Sequence, residues 1–423
     1  MNTMLAIAYL ANLFPARSEP YVGDEIRELR RRGINVVSCS IRRPKAPGKS
    51  DSPWTEETIY VYPLRPALML HALWLCVRRC DVLWKSLRRA LFQKSEPLAK
   101  RFRAIAHTFL GAYYAALLRK LPIQHVHVHH GYFGSWVAMI AARLLQIDFS
   151  MTLHGSDLLL HPWFLDHKLD LCKTCFTISD FNRQHILRTY PGIDPRKVVV
   201  QRLGVDCGRP QGLQEKHDAL KLAMFTAGRL HPVKGHRFLI RACAALKARG
   251  LDFTCSIAGD GDERQHLEDL IRNLDLGDCV YLLGQISSPN MAEHYERANL
   301  VVLTSRSEGI PLVLMEAMAR EKVVLAPEIT GIAELIRDGE TGFLYQPGSL
   351  ENFVDCVEMI HRTRSSLGPI RRAARAHVTK YFNKERNLGA FCERLMGSIG
   401  CSPEGCVGAK TNQMVSYENP VLQ

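Results

Sequence analysis

The stretch Thr304-Ser305-Arg306-Ser307-Glu308-Gly309-Ile310-Pro311-Leu312-Val313-Leu314-Met315-Glu316-Ala317-Met318-Ala319 places two carboxylates around what reads as a strand end, a loop and a helix start. Ahead of it, Asn299-Leu300-Val301-Val302-Leu303 is short, apolar and β-branched, the pattern of a parallel strand buried on both faces. Pro311 suits a first helical turn, where its missing N–H removes a donor that would have no partner. A helix starting there turns the free backbone N–H groups of the Gly309–Leu312 segment toward an anion, with the positive end of the helix dipole behind them. Glu308 would then lie in the loop beside a phosphate and Glu316 about two turns further on, so the two carboxylates meet different parts of one ligand. Taken alone, the same pair also reads as surface or capping glutamates of an ordinary helix.

A chain of 423 residues exceeds one ordinary core and predicts two α/β domains of about 200 residues each. Hydrophobic residues make up 47%, ordinary for a globular protein, so disorder is not the default. A net charge of +13 calls for an anionic partner: nucleic acid, anionic lipid or a phosphorylated substrate. The thirteen cysteines lack regular spacing, and Cys39, Cys243, Cys255 and Cys279 fall in apolar runs, which points to a reducing cytosol. Cys172 and Cys175 form one Cys-x-x-Cys without a second pair, a metal or redox site or simply two packed residues. No apolar run reaches the ~18 residues of a membrane span. The N-terminus lacks a Lys or Arg before its apolar stretch, so Leu5 to Leu10 is read as a first strand rather than a signal peptide.

Along the chain, Met4–Leu10, a loop from Asn12 to Glu19, a helix from Tyr21 to Arg32 and a strand from Ile34 to Cys39 read as βαβ, with Gly33 as the helix stop. Residues 65–120 shift to long helices rich in Arg and Lys. There Leu73, Val77, Cys80, Trp84, Leu87 and Leu91 share one helical stripe, with Arg78, Arg79, Lys85, Arg88 and Arg89 off or beside it. Either this helix packs on its own domain or it lies on anionic lipid. The run His125-Val126-His127-Val128-His129-His130-Gly131 alternates as a strand, so His125, His127 and His129 share one face in a row instead of surrounding a metal, and no acidic ligand is seen nearby. Gly131 is read as opening the helix that follows. The strand Phe149–Leu153 ends at His154-Gly155-Ser156-Asp157, at the carboxyl end where open α/β sheets bind ligands. A structural His with Asp157 as helix N-cap is the other reading.

After a polar linker, a strand 222–227 runs into Gly228-Arg229-Leu230-His231-Pro232-Val233-Lys234-Gly235 and a helix. Two cations five residues apart at a strand end before a helix neutralise a diphosphate. Gly228 and Gly235 let this loop bend. Phe253–Ala258 is a further strand, ending at Gly259-Asp260-Gly261.

These motifs, in this order, resemble the family-4 retaining glycosyltransferases, and the segment Phe14–Glu19 with Glu25 resembles the opening of bacterial exopolysaccharide members. Other branches carry a Gly-Gly pair in this loop; its absence here points the loop toward the acceptor. The resemblance implies a GT-B fold, two doubly wound Rossmann-like domains facing across a cleft. The expected division is an acceptor-side domain 1–206 carrying the basic helical insert 65–120, a linker 207–218, a nucleotide-sugar domain 219–380, a C-terminal helix 381–401 and a disordered tail 402–423. It implies transfer of a hexose from a nucleotide-diphosphate sugar to a glycan or lipid-linked glycan in cell-surface polysaccharide synthesis, without metal or cofactor. His154 and Glu308 would act at the sugar, Asp157 supporting. Arg229, Lys234 and the Gly309-Ile310-Pro311-Leu312 turn would bind the diphosphate, Glu316 the ribose, and Gly228, Gly259 and Gly261 would shape the loops. The enzyme is expected in the cytoplasm, peripheral on an anionic inner membrane surface, and not on nucleic acid. An epimerase of the same architecture, or a non-catalytic basic binding module, are the alternatives. The first would convert donor without acceptor; the second leaves the carboxylate pair and the Arg–Lys loop unexplained.

Overall fold

The computed structural model describes residues 5–16, 19–44, 52–92, 96–208 and 221–400. Its first half is a parallel sheet of β1 (Ala6–Leu13), β2 (Asn35–Arg42), β3 (Ile59–Tyr60), β4 (His125–His129), β5 (Asp148–Leu153), β6 (Thr174–Thr177) and β7 (Val198–Val200). The strand order is β3-β2-β1-β4-β5-β6-β7. The second half repeats the plan with β8 (Leu222–Ala227), β9 (Phe253–Ala258), β10 (Val280–Gly284), β11 (Leu300–Val302), β12 (Val323–Pro327) and β13 (Phe343–Tyr345), in the order β10-β9-β8-β11-β12-β13. Every strand pair in both sheets is parallel. Each order reverses beside its first strand, which makes the β1/β4 and β8/β11 gaps the switch points where such folds bind ligands. This is the GT-B architecture.

Burial on both faces explains why the strands read as apolar runs: all five residues of β4 and all three of β11 are buried. The closing helix Lys384–Ile399 belongs spatially to the first half. Its Phe391, Cys392, Leu395 and Met396 pack with Ile7, Tyr9, Val22 and Ile26. The chain therefore crosses between halves twice, and the crossings touch where Val205 donates to the Phe382 carbonyl and Lys384 to that of Val205, 2.9 and 3.0 Å.

Several local expectations are corrected. Asn12 and Leu13 continue β1, because Leu13 still finds a partner in Arg42 of β2. The helix after β4 begins at Phe133, two residues past Gly131. The 66–118 region is three helices, Pro66–Arg78, Cys80–Phe92 and Leu98–Leu118. The apolar stripe is thus split between two helices, and Leu73, Val77, Trp84 and Leu91 face outward rather than into a core. Arg89, off or beside the stripe in the sequence reading, is drawn in by carboxylates, pairing with Glu96 at 3.1 Å and Asp166 at 2.9 Å. Arg17, Ser18, most of the linker and the 402–423 tail lie outside the described residues.

Candidate active site

The loop after β8 turns through a short 3-10 segment, Pro232–Lys234, into the helix His236–Ala248. The Lys234 ammonium is 2.6 Å from Glu308 Oε1, and Ser305 Oγ donates to the same oxygen at 2.6 Å. Backbone bonds lock the two loops together: Arg306 N–H donates to the Val233 carbonyl at 2.8 Å and Thr304 Oγ1 to that of Lys234 at 3.1 Å. Arg229 is exposed, and its charge reaches the first half, adding to the lowering of Glu19 led by His130 and opposing the burial-driven rise of Tyr132. Gly228 has no left-handed backbone; in this loop the bend falls on Gly235, with φ +69° and the Thr304 carbonyl against it, and in the next loop on Gly259, whose φ of +139° and contact with the Gly228 carbonyl leave no room for a side chain. Gly261 follows in the same turn. Asp260 and Asp262 do stand at Asp-x-Asp spacing here, but both are exposed and Asp260 caps the Gly261 N–H at 2.8 Å.

Pro311 is the N-cap of the helix Leu312–Ala319 rather than a first-turn residue, with φ −78° and ψ 124°. The two-turn separation of the glutamates therefore divides into loop and one helical turn. Glu316 accepts from Tyr295 Oη at 2.6 Å, and Tyr295 is fully buried beneath the Arg320 guanidinium.

From the first half, His154 follows β5, His129 ends β4 and His130 follows it. Asp157 is fully buried and acts as an acceptor hub. It takes the backbone N–H of Gly131 and Gly155, each at 2.8 Å, and that of His154 at 3.1 Å. It is not an N-cap: the short helix Ser156–Leu159 starts before it. Burial opposes a charge on Asp157, yet the hydrogen bond and field of His130 dominate and hold its carboxyl far below the usual range. Burial likewise opposes protonation of His130, but Asp157 and Glu19 raise its pKa to about 10. His154 is pushed well down by burial and by His130 and His129, so it is neutral. Its ring stacks on Tyr21, centroids 4.8 Å apart at 28°.

The halves meet over this cluster. Gly309 lies against the His154 carbonyl and Ile178. Beside that contact Glu334 accepts from the N–H groups of Phe181 and Asp180 at 2.6 and 3.1 Å, capping the helix Asp180–Thr189 from the other half. His154, Asp157, Glu308, Gly309, Lys234 and Arg229 thus converge at the facing carboxyl ends of the two sheets, with Glu316 flanking them one turn into its helix.

Glu25, His129, His130, Tyr21 and Glu334 escaped sequence reasoning as site residues, because their proximity arises only from the fold. Glu25 also corrects the absence of an acidic group near the histidine row. Glu25, His127 and His129 offer ligand atoms within 4.8 Å of one another. Those nitrogens are already engaged: His127 with Ser150 at 2.8 Å and Thr152 at 3.1 Å, His129 with Glu25 at 2.8 Å and His154 at 3.0 Å. Cys172 and Cys175 are buried and unbridged, with thiol pKa values raised by burial, the environment of packed residues rather than reactive ones.

Comparison with known proteins agrees with this geometry. Residues 18–209 match the family described as Glycosyltransferase Family 4, and residues 214–377 that described as Glycosyl transferases group 1. The amylovoran biosynthesis glycosyltransferase AmsK of Erwinia amylovora is 31% identical over 286 residues, 63% of this chain and 69% of that protein. Among solved structures, sucrose-phosphate synthase from Thermosynechococcus elongatus superposes with a TM-score of 0.71 at 19% identity, covering 93% of this chain and all of that one. Anabaena Alr3699/HepE in complex with UDP-glucose superposes at 0.68 and 18%, with the same coverage. The chain belongs to the family-4 glycosyltransferases of the GT-B fold. It is an enzyme of glycosyl transfer.

Proposed function

We propose that the enzyme transfers a hexose from a nucleotide-diphosphate sugar to a hydroxyl of a lipid-linked glycan, with retention of anomeric configuration, in the synthesis of a cell-surface polysaccharide. The observation that carries this reading is the junction of Lys234 and Glu308 with the Gly309 turn, set directly against His154. As the bond to the diphosphate breaks, negative charge grows on the leaving oxygens. Arg229, Lys234 and the amides at the start of the helix Leu312–Ala319 stabilise it, in place before reaction. Glu308 directs the Lys234 ammonium and meets the sugar side of the donor, Glu316 takes the ribose hydroxyls, and His154 contacts the transferred sugar. Fixed cations supply the charge that a divalent metal supplies elsewhere, so the reaction is proposed to be metal-independent. Front-face attack, with the acceptor entering from the first half, accounts for retention.

The lipid-linked acceptor rests on the outer face of the 66–92 helices. Leu70, Leu73, Trp74, Val77 and Trp84 are exposed there, with Leu70 at 71% and Val77 at 70%, and Arg78, Lys85 and Arg88 stand among them. Apolar side chains edged with cations suit an anionic leaflet. Among the described residues no helix is long and apolar enough to cross a membrane, and we place the enzyme in the cytoplasm, peripheral on the inner membrane face. Sedimentation with phosphatidylglycerol liposomes at low salt, lost in Leu70→Asp/Val77→Asp, tests this.

A thermal-shift panel of UDP, GDP, ADP and dTDP with their common sugars, with and without EDTA, tests the donor site. Stabilisation by one nucleotide that survives EDTA is expected, because a ligand that binds only the folded state raises apparent stability. No shift with any of them overturns the reading.

A further inference from the structure

Behind His154 runs a chain of buried polar groups that the proposed chemistry does not use. His154 Nε2 is 3.0 Å from His129 Nδ1, and His129 Nε2 is 2.8 Å from Glu25 Oε2 and 2.9 Å from Tyr9 Oη. Tyr9 Oη also donates to Glu25 Oε2. Tyr9, Glu25 and His129 are each at most 5% exposed, so the network is buried.

The protons in it can be counted. Tyr9 spends its single hydrogen on Glu25, so the contact between Glu25 and His129 requires the hydrogen on His129 Nε2. On a singly protonated His129 ring, Nδ1 then carries only a lone pair. The 3.0 Å approach to His154 must be bridged by a hydrogen on His154 Nε2; otherwise two lone pairs face each other. His154 Nδ1 is left as a bare acceptor.

We propose that Glu25 and His129 are positioning residues that fix His154 in the Nε2–H tautomer, so that Nδ1 accepts a hydrogen bond from a hydroxyl of the transferred sugar. The carboxylate orients the first imidazole, and that imidazole orients the second. Buried partners on three different elements, β1, β4 and the helix Pro20–Arg31, hold the chain in register. The site thereby recognises a hydroxyl as a donor and rejects a sugar that presents only an acceptor there, since His154 Nδ1 would face another lone pair. The assignment of the hydroxyl rests on the reading that His154 faces the sugar; the tautomer does not.

The test is a two-bond 15N–1H correlation spectrum of the full chain labelled with 15N-histidine at pH 7.5, with His154 assigned from His154→Gln. The expected result is an unprotonated Nδ1 and a protonated Nε2 on His154. Glu25→Gln is expected to mix the tautomers and raise KM for the donor about tenfold with little change in kcat, the cost of one mis-set hydrogen bond. A protonated His154 Nδ1 in the wild type overturns the proposal, and this readout survives even if Glu25→Gln fails to fold. A single unaltered tautomer and unchanged KM in folded Glu25→Gln also overturns it. Failure of the glycosyltransferase site itself would appear separately, as absent donor binding with the tautomer intact.

Discussion

The backbone of Gly309 runs so close to the carbonyl oxygen of His154 that a β-carbon added at 309 would stand 2.6 Å from that oxygen, and 2.5 Å from Ile178 Cδ1. The two halves of the enzyme interlock here through main chain, directly over the proposed sugar site. Gly309→Ala should wedge them apart without disturbing either sheet. Turnover is expected to fall at least ~10-fold from the lost alignment of reacting groups, with far-ultraviolet circular dichroism unchanged. Full activity would show that closure in this form is not the reactive one.

Lys234 and Glu308 should behave as one unit. With only 11% of its side chain exposed, Glu308 would be left as an unpaired carboxylate beside the diphosphate in Lys234→Ala. Lys234→Ala and Glu308→Ala are each expected to lower turnover ~10²-fold. The double variant should lose far less than the product of the two, because both single changes break the same contact. Multiplicative losses would mean that the residues act independently. Arg229→Ala, whose guanidinium is exposed, is expected to cost ~10²-fold as well.

The order of elements was readable because both sheets are parallel and covered on both faces: their strands are short apolar runs, and turns follow them where ligands bind. The loop Gly228–Gly235 and the stretch Thr304–Ala319 belong to this legible part. What sequence reasoning could not supply were relations across the fold. Glu25 and His129 are 104 residues apart in sequence and 2.8 Å apart in space, and no spacing rule spans that distance. Helical periodicity places Leu73 and Val77 on one face but says nothing about what that face meets; here it meets solvent. The break at Arg79 carries neither Gly nor Pro. The N-cap position of Pro311, one residue before the helix, follows from its ψ of 124°, which proline's fixed φ leaves open.

Tyr295 offers a separable test of Glu316. Its hydroxyl holds one carboxylate oxygen at 2.6 Å from a fully buried position, so Tyr295→Phe removes a hydrogen bond and almost no volume. A net loss of ~1 kcal/mol is expected, about a fivefold weaker Kd for the nucleotide by calorimetry, with kcat nearly unchanged. Glu316→Ala should weaken binding further. If Tyr295→Phe lowers kcat and leaves Kd alone, Glu316 acts on the reacting bond instead of the ribose.

Stability should fall as the medium is acidified from pH 6.5 to 4, ahead of the usual carboxylate range. Burial depresses His125, His167 and His236 to about 4, from an ordinary value of 6.5. In this window the unfolded chain takes up protons at these rings while the folded chain does not. Their contribution is therefore complete above pH 6.5 and is lost as pH drops toward 4. The other strongly shifted cations do not oppose this: Lys168, lowered by burial to about 7, and His130, raised to about 10, change their contributions only above pH 6.5. Each depressed histidine adds up to ~1.4 kcal/mol per pH unit to the slope. His236 is the cleanest to remove, since its ring is buried and no side chain among the described residues hydrogen-bonds to its nitrogens. Urea unfolding of His236→Gln between pH 4 and 7 should show a slope shallower by about one proton. An unchanged slope would mean that His236 is protonated in the folded enzyme.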